Sequence, residues 1–325
     1  MRRRIFASFF LCWLFIAALP KSMLAQSSGT AVDSPAPLGK LIDVGGYRVH
    51  LYCTGTGSPT VVILGAGYSF DWGIVQPQVA GFTRVCTYDH SGTAWSDPGP
   101  KDSCPLRVNE AHTALKNAGI VGPYILVGHS LGGLVARLYA GQYPNEVAGV
   151  IFVDHAFAML SRRPPSDGTA APAPPPPPLT SPPGGAKIVT MGMEDDPNFS
   201  NLPLRDRELH LWATTQAHNQ AASTSNFDML FDCMAQADAI IKDQSHPLGD
   251  KPLVDVTAGR SMPTQTAENS HDKYAELQAK LLSLSSNSKQ IVAENSGHFI
   301  IIDRPDVVID AIKQVVQSVR NNTKL

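Results

Sequence analysis

Ser130 stands between glycines in the stretch Gly128-His129-Ser130-Leu131-Gly132. Four apolar residues precede this stretch and an apolar pattern with helical spacing follows it, which predicts a strand that turns sharply into a helix. Such a turn holds the serine in a strained backbone conformation and exposes its hydroxyl at the edge of a sheet. Backbone N–H groups at the start of the helix can stabilise a developing oxyanion there. We therefore predict that Ser130 is a nucleophile and that the N–H group of Leu131 belongs to an oxyanion hole.

A serine nucleophile needs a general base, and this motif places the histidine far downstream in the chain. Among the ten histidines, His298 fits best, because it follows a strand-like segment, lies in a Ser-Gly turn and precedes the last helix. Such a turn can carry the imidazole to the carboxyl edge of a sheet, where Ser130 is expected. His271 and His246 follow no predicted strand, and His129 is expected to point away from Ser130.

The segments that must position these residues alternate between two types. Short β-branched runs such as PTVVILG, FTRVCTYD and PYILVG alternate with stretches of helical spacing. This alternation predicts a mostly parallel, doubly wound α/β sheet. It stops between about residues 158 and 247, where a proline-rich segment at 161–185 precedes two helical stretches. We predict one α/β core formed by residues 38–157 and 248–320, with 158–247 inserted as a helical cap.

The N-terminus has the pattern of a targeting segment. Three arginines at positions 2–4 precede about fifteen almost wholly apolar residues, and small residues follow. This pattern predicts a secretory signal peptide at 1–25, followed by a linker at 26–37. The apolar run is shorter than the ~20 residues that a spanning helix needs, so we expect export without stable membrane insertion after cleavage.

Composition excludes several classes of partner. The chain has 325 residues, of which 43% are hydrophobic and 17% charged, as is typical of a soluble globular protein with a large core. The net charge is −2, and no basic cluster occurs outside the extreme N-terminus. Nucleic acid and anionic membrane surfaces are therefore not expected as partners.

Four cysteines remain after the predicted signal peptide. None of them has metal-ligand spacing, so a zinc site is not expected. Cys104 and Cys233 lie in loop-like and cap-like surroundings, where a disulfide bond can form in an exported protein. Cys53 and Cys86 lie on apolar strand-like runs, which suggests small buried residues.

Five segments together resemble the α/β-hydrolase family: PTVVILGAGYSFDW, TRVCTYDHSGTAWSDPGP, VGHSLGGLVARLYA, VIFVDHA and SGHFIIIDRP. The resemblance covers about residues 40–318 and is weakest across the predicted cap. Within this family, the chain resembles capped bacterial serine hydrolases with a triad of serine, acid and histidine. It implies an esterase-like enzyme that acts on a small-molecule ester and needs no metal ion and no organic cofactor. It leaves the oligomeric state open.

The acid of the triad departs from the commonest family pattern. Members of the family usually carry Asp in a G-x-x-D turn after the strand that follows the cap, but here that turn, residues 259–262, has no carboxylate. We favour Asp154, at the end of the strand after the nucleophile helix, a position from which some family members draw their acid. Asp272, 26 residues before His298, is the alternative, and the remaining possibilities are Glu268 or no acid at all.

The second donor of the oxyanion hole also follows from the resemblance. In the family this donor comes after a His-Gly pair, and residues 66–67 occupy the corresponding place. The resemblance therefore implies that the N–H group of Tyr68 is the second donor, beside that of Leu131. Asp89, in the loop after another strand, is interpreted as a structural turn residue.

The sequence thus predicts an exported serine hydrolase that cleaves carboxylic esters through an acyl-enzyme on Ser130, with His298 as general base. Other activities of the same triad stay open: a peptidase or amidase of the proline-iminopeptidase-like type, a lactonase, and carbon–carbon cleavage. A serine at position 130 disfavours enzymes with an aspartate nucleophile. A non-catalytic binding protein is the hypothesis of a different class, and the presence of both Ser130 and His298 argues against it.

Overall fold

Eight strands form a single sheet in the part of the chain that the computed structural model describes, residues 34–65, 67–155, 192–240, 244–260 and 277–325. The strands are β1 (Lys40–Asp43), β2 (Arg48–Thr54), β3 (Thr60–Leu64), β4 (Val85–Asp89), β5 (Tyr124–His129), β6 (Val147–Val153), β7 (Leu253–Ala258) and β8 (Ser288–Ala293). Their order across the sheet is β1-β2-β4-β3-β5-β6-β7-β8. β2 pairs antiparallel with β1 and β4, and all other neighbours are parallel. The predicted mostly parallel α/β sheet is confirmed.

Helices cover both faces of this sheet. They are α1 (Val75–Ala80), α2 (Cys104–Asn117), α3 (Leu131–Gln142), α4 (Leu204–Thr214), α5 (Ala217–Ile240), α6 (Ile300–Asp303) and α7 (Pro305–Asn321). Residues of α2, α3 and α5 share an apolar layer with one face, and residues of α1 and α7 share a layer with the other. Because both faces are covered, β3, β4 and β5 are buried along their whole length, which explains their continuous apolar runs.

The last helix shows how an apolar pattern fastens a helix to the sheet. α7 begins at Pro305, a position where the missing N–H of proline costs no helical hydrogen bond. Its buried apolar residues recur at helical spacing: Val308, Ala311, Ile312, Val315 and Val316. They pack against β6 and β7. This packing anchors the chain directly after the loop that contains His298.

The chain between β6 and β7 reaches two different parts of the molecule. Within it, residues 192–240 form two 3₁₀ turns followed by α4 and α5. α4 packs against the 3₁₀ turn Ser69–Trp72, which follows β3. The second half of α5 lies instead in the apolar layer with α2 and α3, through Met229, Leu230, Cys233, Met234 and Ala237. α4 is therefore positioned to influence the loop after β3.

Two disulfide bonds join distant parts of the described chain. Cys104 at the start of α2 is bonded to Cys233 in α5, a pairing that the sequence left open as one possibility. Cys53 and Cys86 are also bonded to each other. Their interpretation as simply small buried residues is wrong in this respect, because the antiparallel register of β2 and β4 places Cys53 directly opposite Cys86.

Three predicted segments lie outside the described residues: the signal peptide at 1–25, most of the linker at 26–37, and the proline-rich segment at 161–185. Residues 37–325 group into one compact unit. Within the described ranges, no helix combines the length and the apolar character that crossing a bilayer requires. The domain boundaries and the signal peptide stay predictions.

Candidate active site

Ser130 lies in the turn between the end of β5 and the start of α3. Its backbone has φ 54° and ψ −124°, a combination that non-glycine residues rarely adopt. The Ser130 N–H donates to the carbonyl oxygen of Val153 at 3.1 Å, which ties the turn to the end of the neighbouring strand β6. Leu131 is the first residue of α3, where a helix has no acceptor of its own for the backbone N–H. The strand-to-helix turn predicted at this place is present.

The glycines on either side make this turn sterically feasible. A Cβ atom on Gly132 would collide with the carbonyl oxygen of Leu64 at the end of β3. A Cβ atom on Gly128 would lie 2.6 Å from the carbonyl oxygen of Gly132. Both separations are too short for a side chain, so the glycines let the start of α3 approach the loop after β3. This approach puts that loop beside Ser130.

His298 lies in the loop after β8 and contacts Asp154, the residue that follows β6. The distance from His298 Nδ1 to Asp154 Oδ2 is 2.6 Å. Because a carboxylate only accepts, Nδ1 carries the proton and Nε2 is left as the basic nitrogen. The other oxygen of Asp154 accepts the N–H of Ala258 at 3.2 Å. The favoured acid therefore contacts the predicted base, whereas the alternatives at positions 268 and 272 lie outside the described residues.

Asp303 fixes the loop that contains His298. Its Oδ2 accepts the N–H of Gly297 at 2.6 Å and a hydrogen of Arg260 Nη2 at 2.9 Å. Its Oδ1 accepts from the Asn198 amide at 2.7 Å. Asp303 thus joins the histidine loop, the turn after β7 and the segment before α4. Sequence reasoning missed this residue, since it was quoted only within the motif SGHFIIIDRP.

His129 also supports the loop that contains His298. Burial, and next the neighbouring His298, lower the pKa of His129 to about 4, so the ring is neutral at physiological pH. Its Nε2 lies 3.0 Å from the carbonyl oxygen of His298 and donates to it. The expectation that His129 points away from the nucleophile fits this contact. The residue before Ser130 thereby holds the backbone of the predicted base.

The loop after β3 requires a correction to the predicted oxyanion hole. The N–H of Tyr68 donates to Asp71 Oδ2 at 2.8 Å, so it is not free to bind an oxyanion in this conformation. The physical reason is local, because Asp71 caps the 3₁₀ turn that begins at Ser69. An aspartate three residues after Tyr68 is a capping signal that the sequence contained. Leu131 keeps the position predicted for the first donor.

A buried cluster around Asp89 anchors the other side of this loop. Asp89 accepts the Ser69 N–H at 2.7 Å and the Ser69 hydroxyl at 2.8 Å. His50 Nδ1 lies 2.7 Å from the same carboxylate, and the Gly39 N–H donates to His50 Nε2 at 2.8 Å. Both nitrogens of His50 are therefore occupied, and the cluster is structural, as interpreted for Asp89.

His210 of α4 lies between two carboxylates. Its Nδ1 is 2.7 Å from Asp71 Oδ1, and its Nε2 is 3.0 Å from Glu194 Oε2. Burial disfavours the charged form of the ring, but Asp71 and Glu194 outweigh it and raise the pKa of His210 to about 10. Sequence reasoning missed all three residues, because nothing in their spacing along the chain relates them.

Residues 59–305, more than half of the chain, match the family model of the alpha/beta hydrolase fold. The chain therefore belongs to the alpha/beta hydrolase fold family, and its fold indicates a hydrolase. The family match extends from just before β3 to the start of α7, so it includes Ser130, Asp154 and His298.

The chain is also similar to individual relatives and to solved structures. YqjL of Bacillus subtilis, a protein without assigned function, is 23% identical over 280 residues, 85% of this chain and 91% of that protein. A protein of Schizosaccharomyces pombe, also without assigned function, is 38% identical over 89 residues, 27% of this chain but 16% of that protein. A meta-cleavage product hydrolase from Pseudomonas fluorescens superposes with a TM-score of 0.57 at 18% identity, covering 85% of this chain and 98% of that one. These likenesses concern the fold.

Proposed function

We propose that the protein is a serine hydrolase that cleaves carboxylic esters through an acyl-enzyme on Ser130. The contact of 2.6 Å between His298 Nδ1 and Asp154 Oδ2 carries the proposal. Two hydrogen bonds support it, because they link the turn at Ser130 to the segments that contain Asp154 and His298. Ser130 N–H donates to Val153, the residue before Asp154, and His129, the residue before Ser130, donates to the His298 carbonyl.

In the proposed reaction the Ser130 hydroxyl attacks the carbonyl carbon of the ester while His298 Nε2 accepts its proton. The Leu131 N–H and the dipole of α3 stabilise the negative charge on the carbonyl oxygen. The carbon–oxygen bond then breaks, and the leaving alcohol takes the proton from His298. A water molecule repeats the sequence on the acyl-enzyme and releases the acid. Asp154 keeps the proton of His298 on Nδ1 throughout.

We also propose that the protein is exported through a signal peptide at 1–25 and acts in an oxidising compartment. The two disulfide bonds support this proposal, because such bonds persist mainly outside the reducing cytosol. N-terminal sequencing of the periplasmic or secreted fraction tests it. A mature chain that starts near residue 26 is expected, and an intact N-terminus in the cytoplasm would contradict export.

A fluorophosphonate probe tests the nucleophile without knowledge of the substrate. The wild-type protein is expected to become labelled and Ser130→Ala is not. Ser283→Ala, which removes an exposed hydroxyl that bonds only to the nearby carbonyl of Lys280, is the matched control and should label normally. Absence of labelling in folded wild type would favour the non-catalytic binding protein.

An ester panel graded by acyl length tests the chemistry, with amide and lactone counterparts of the same acyl groups. Faster turnover of the esters is expected. Faster turnover of the amides or lactones would instead favour the peptidase, amidase or lactonase that the sequence left open. Metal chelation should leave the rate unchanged, because none of the proposed steps uses a metal ion.

A further inference from the structure

His210 carries a positive charge inside the protein. Both of its ring nitrogens lie within hydrogen-bond distance of carboxylate oxygens, which only accept, so both nitrogens must carry hydrogen. The side chain is only 5% exposed, and a buried charge is costly unless it is paired. Asp71 and Glu194 supply that pairing, and Arg205 with Asp206 forms the nearest other ion pair on α4.

The partner of this cation also holds the loop after β3. One oxygen of Asp71 binds His210, and the other accepts the N–H of Tyr68 at 2.8 Å. Asp71 itself is almost fully buried. The orientation of its carboxylate therefore determines the conformation of residues 67–72. At the far side of the same loop, Ser69 is bonded to Asp89, so the loop is held at two points.

This loop lies beside the nucleophile. Leu64 and Gly65 lie just before it in the chain, and they approach the start of α3 so closely that only a glycine fits at position 132. Trp72, at its end, packs its ring against His129, which holds the His298 backbone. A shift of the loop would therefore change the contacts on both sides of Ser130.

We propose that His210 is a positioning residue for the hydrolysis proposed above, on which this inference rests. As a buried imidazolium it holds the Asp71 carboxylate, and through Asp71 it fixes residues 67–72 in the arrangement that favours charge development at Ser130. It touches none of the reacting atoms. Its second effect is electrostatic, because it compensates the negative charge of Asp71 in the loop after β3.

The test measures the rate at which a fluorophosphonate probe modifies Ser130, because this reaction also develops charge on an oxygen and needs no known substrate. His210→Gln should slow the modification by about 10- to 100-fold, less than the loss of a direct oxyanion donor in some enzymes. His112→Gln is the matched control, since His112 of α2 contacts Glu146, away from the site, and it should label at the wild-type rate.

The double variant Asp71→Asn/His210→Gln distinguishes positioning from general damage. Two neutral amides can still bond to each other, and the amide oxygen introduced at position 71 can still accept the Tyr68 N–H. The buried charge of Asp71 is removed together with that of His210, and only the charge of the partly exposed Glu194 loses its partner. The double variant should therefore label faster than His210→Gln alone. Equal rates for wild type and folded His210→Gln would overturn the proposal. Faster labelling of Asp71→Ala than of wild type would also overturn it. Asp71 would then keep the Tyr68 N–H from binding the oxyanion rather than position the loop.

A second variant keeps the proposal testable if His210→Gln does not fold. Glu194 is 28% exposed, so Glu194→Gln is a milder change that removes one of the two carboxylates. It should slow labelling more at alkaline pH than at neutral pH, because His210 then loses its proton more easily. NMR of the His210 ring should show an imidazolium at pH 7 in the wild type, and a neutral ring would overturn the proposal. If wild type itself is not labelled, the proposed function fails instead, whatever the charge of His210.

Discussion

Two of the described histidines that lie within 2.7 Å of an aspartate, His298 and His210, have different surroundings. His298 lies 2.6 Å from Asp154, and its Nε2 makes no hydrogen bond to any of the described residues. His210 lies 2.7 Å from Asp71, and its second nitrogen contacts Glu194. The His298 side chain is 18% exposed and that of His210 is 5% exposed. A short contact between histidine and aspartate therefore does not identify a catalytic base. We propose His298 for that role because its side chain is also accessible and its Nε2 bonds to none of the described residues.

The largest effect should come from the histidine with the free nitrogen. His298→Gln should lower kcat on a short-chain aryl ester by about 10⁴-fold or more, because it removes the group proposed to accept the Ser130 proton. His210→Gln should lose far less on the same ester. Steady-state kinetics of the two variants compares these losses of kcat directly. A larger loss in His210→Gln than in His298→Gln would exchange the roles that we assign to the two histidines.

The next largest effect concerns the aspartate partner. Asp154→Asn should lower kcat by about 10³- to 10⁴-fold, since an amide at this position no longer keeps the His298 proton on Nδ1. Asp272→Asn is the matched comparison, because Asp272 was the alternative acid. If Asp272→Asn is the inactive variant and Asp154→Asn keeps its activity, the assignment of the acid is wrong.

The comparison also predicts a difference in stability with pH. The pKa of His210 is raised to about 10 in the folded protein by Asp71 and Glu194, which outweigh its burial. The resulting stabilisation is fully present below about pH 6.5, decreases as the pH rises and is lost above about pH 10. Denaturant unfolding of wild type and His210→Gln at pH 6, 8 and 10 should show this narrowing difference. A constant difference would mean that His210 is not charged in the folded state.

The smallest effect is expected from His129, and it concerns the stability of the protein at acidic pH. Burial and the neighbouring His298 lower its pKa to about 4, so below about pH 6.5 the unfolded chain binds a proton that the folded protein does not. Stability should fall as the pH drops from about 6.5 to about 4, and His129→Gln should flatten part of this fall. His90, whose pKa burial and Arg107 lower to about 3, contributes the same loss in both proteins. An equal fall in stability with decreasing pH in wild type and His129→Gln would contradict the prediction.

Local patterns in the sequence were sufficient for the sheet and for the turn at Ser130. Buried parallel strands require continuous apolar runs, and a strand-to-helix turn of this sharpness requires glycines where Gly128 and Gly132 stand. Asp154 was favoured because the resemblance to the family implies an acid at the end of this strand, and the structure places it in contact with His298.

Contacts between segments that are distant in the chain could not be predicted in the same way. Asp71 and His210 are 139 residues apart, and only the packing of α4 against the loop after β3 brings them together. The bond between Cys53 and Cys86 depends on the register of β2 and β4, which no local pattern determines. The Tyr68 N–H was wrongly predicted to be free because the side chain of Asp71 competes for it.

The bond between Cys104 and Cys233 has a consequence for proteolysis. It closes a covalent ring of the chain that includes Ser130, Asp154, His210 and the whole proline-rich segment at 161–185. A protease that cuts once anywhere inside this ring leaves the two fragments joined. Cleaved protein should therefore migrate as one species on a non-reducing gel and separate into two only after reduction. Cleavage in the proline-rich segment therefore leaves Ser130 and His298 in two fragments that the disulfide bond still joins.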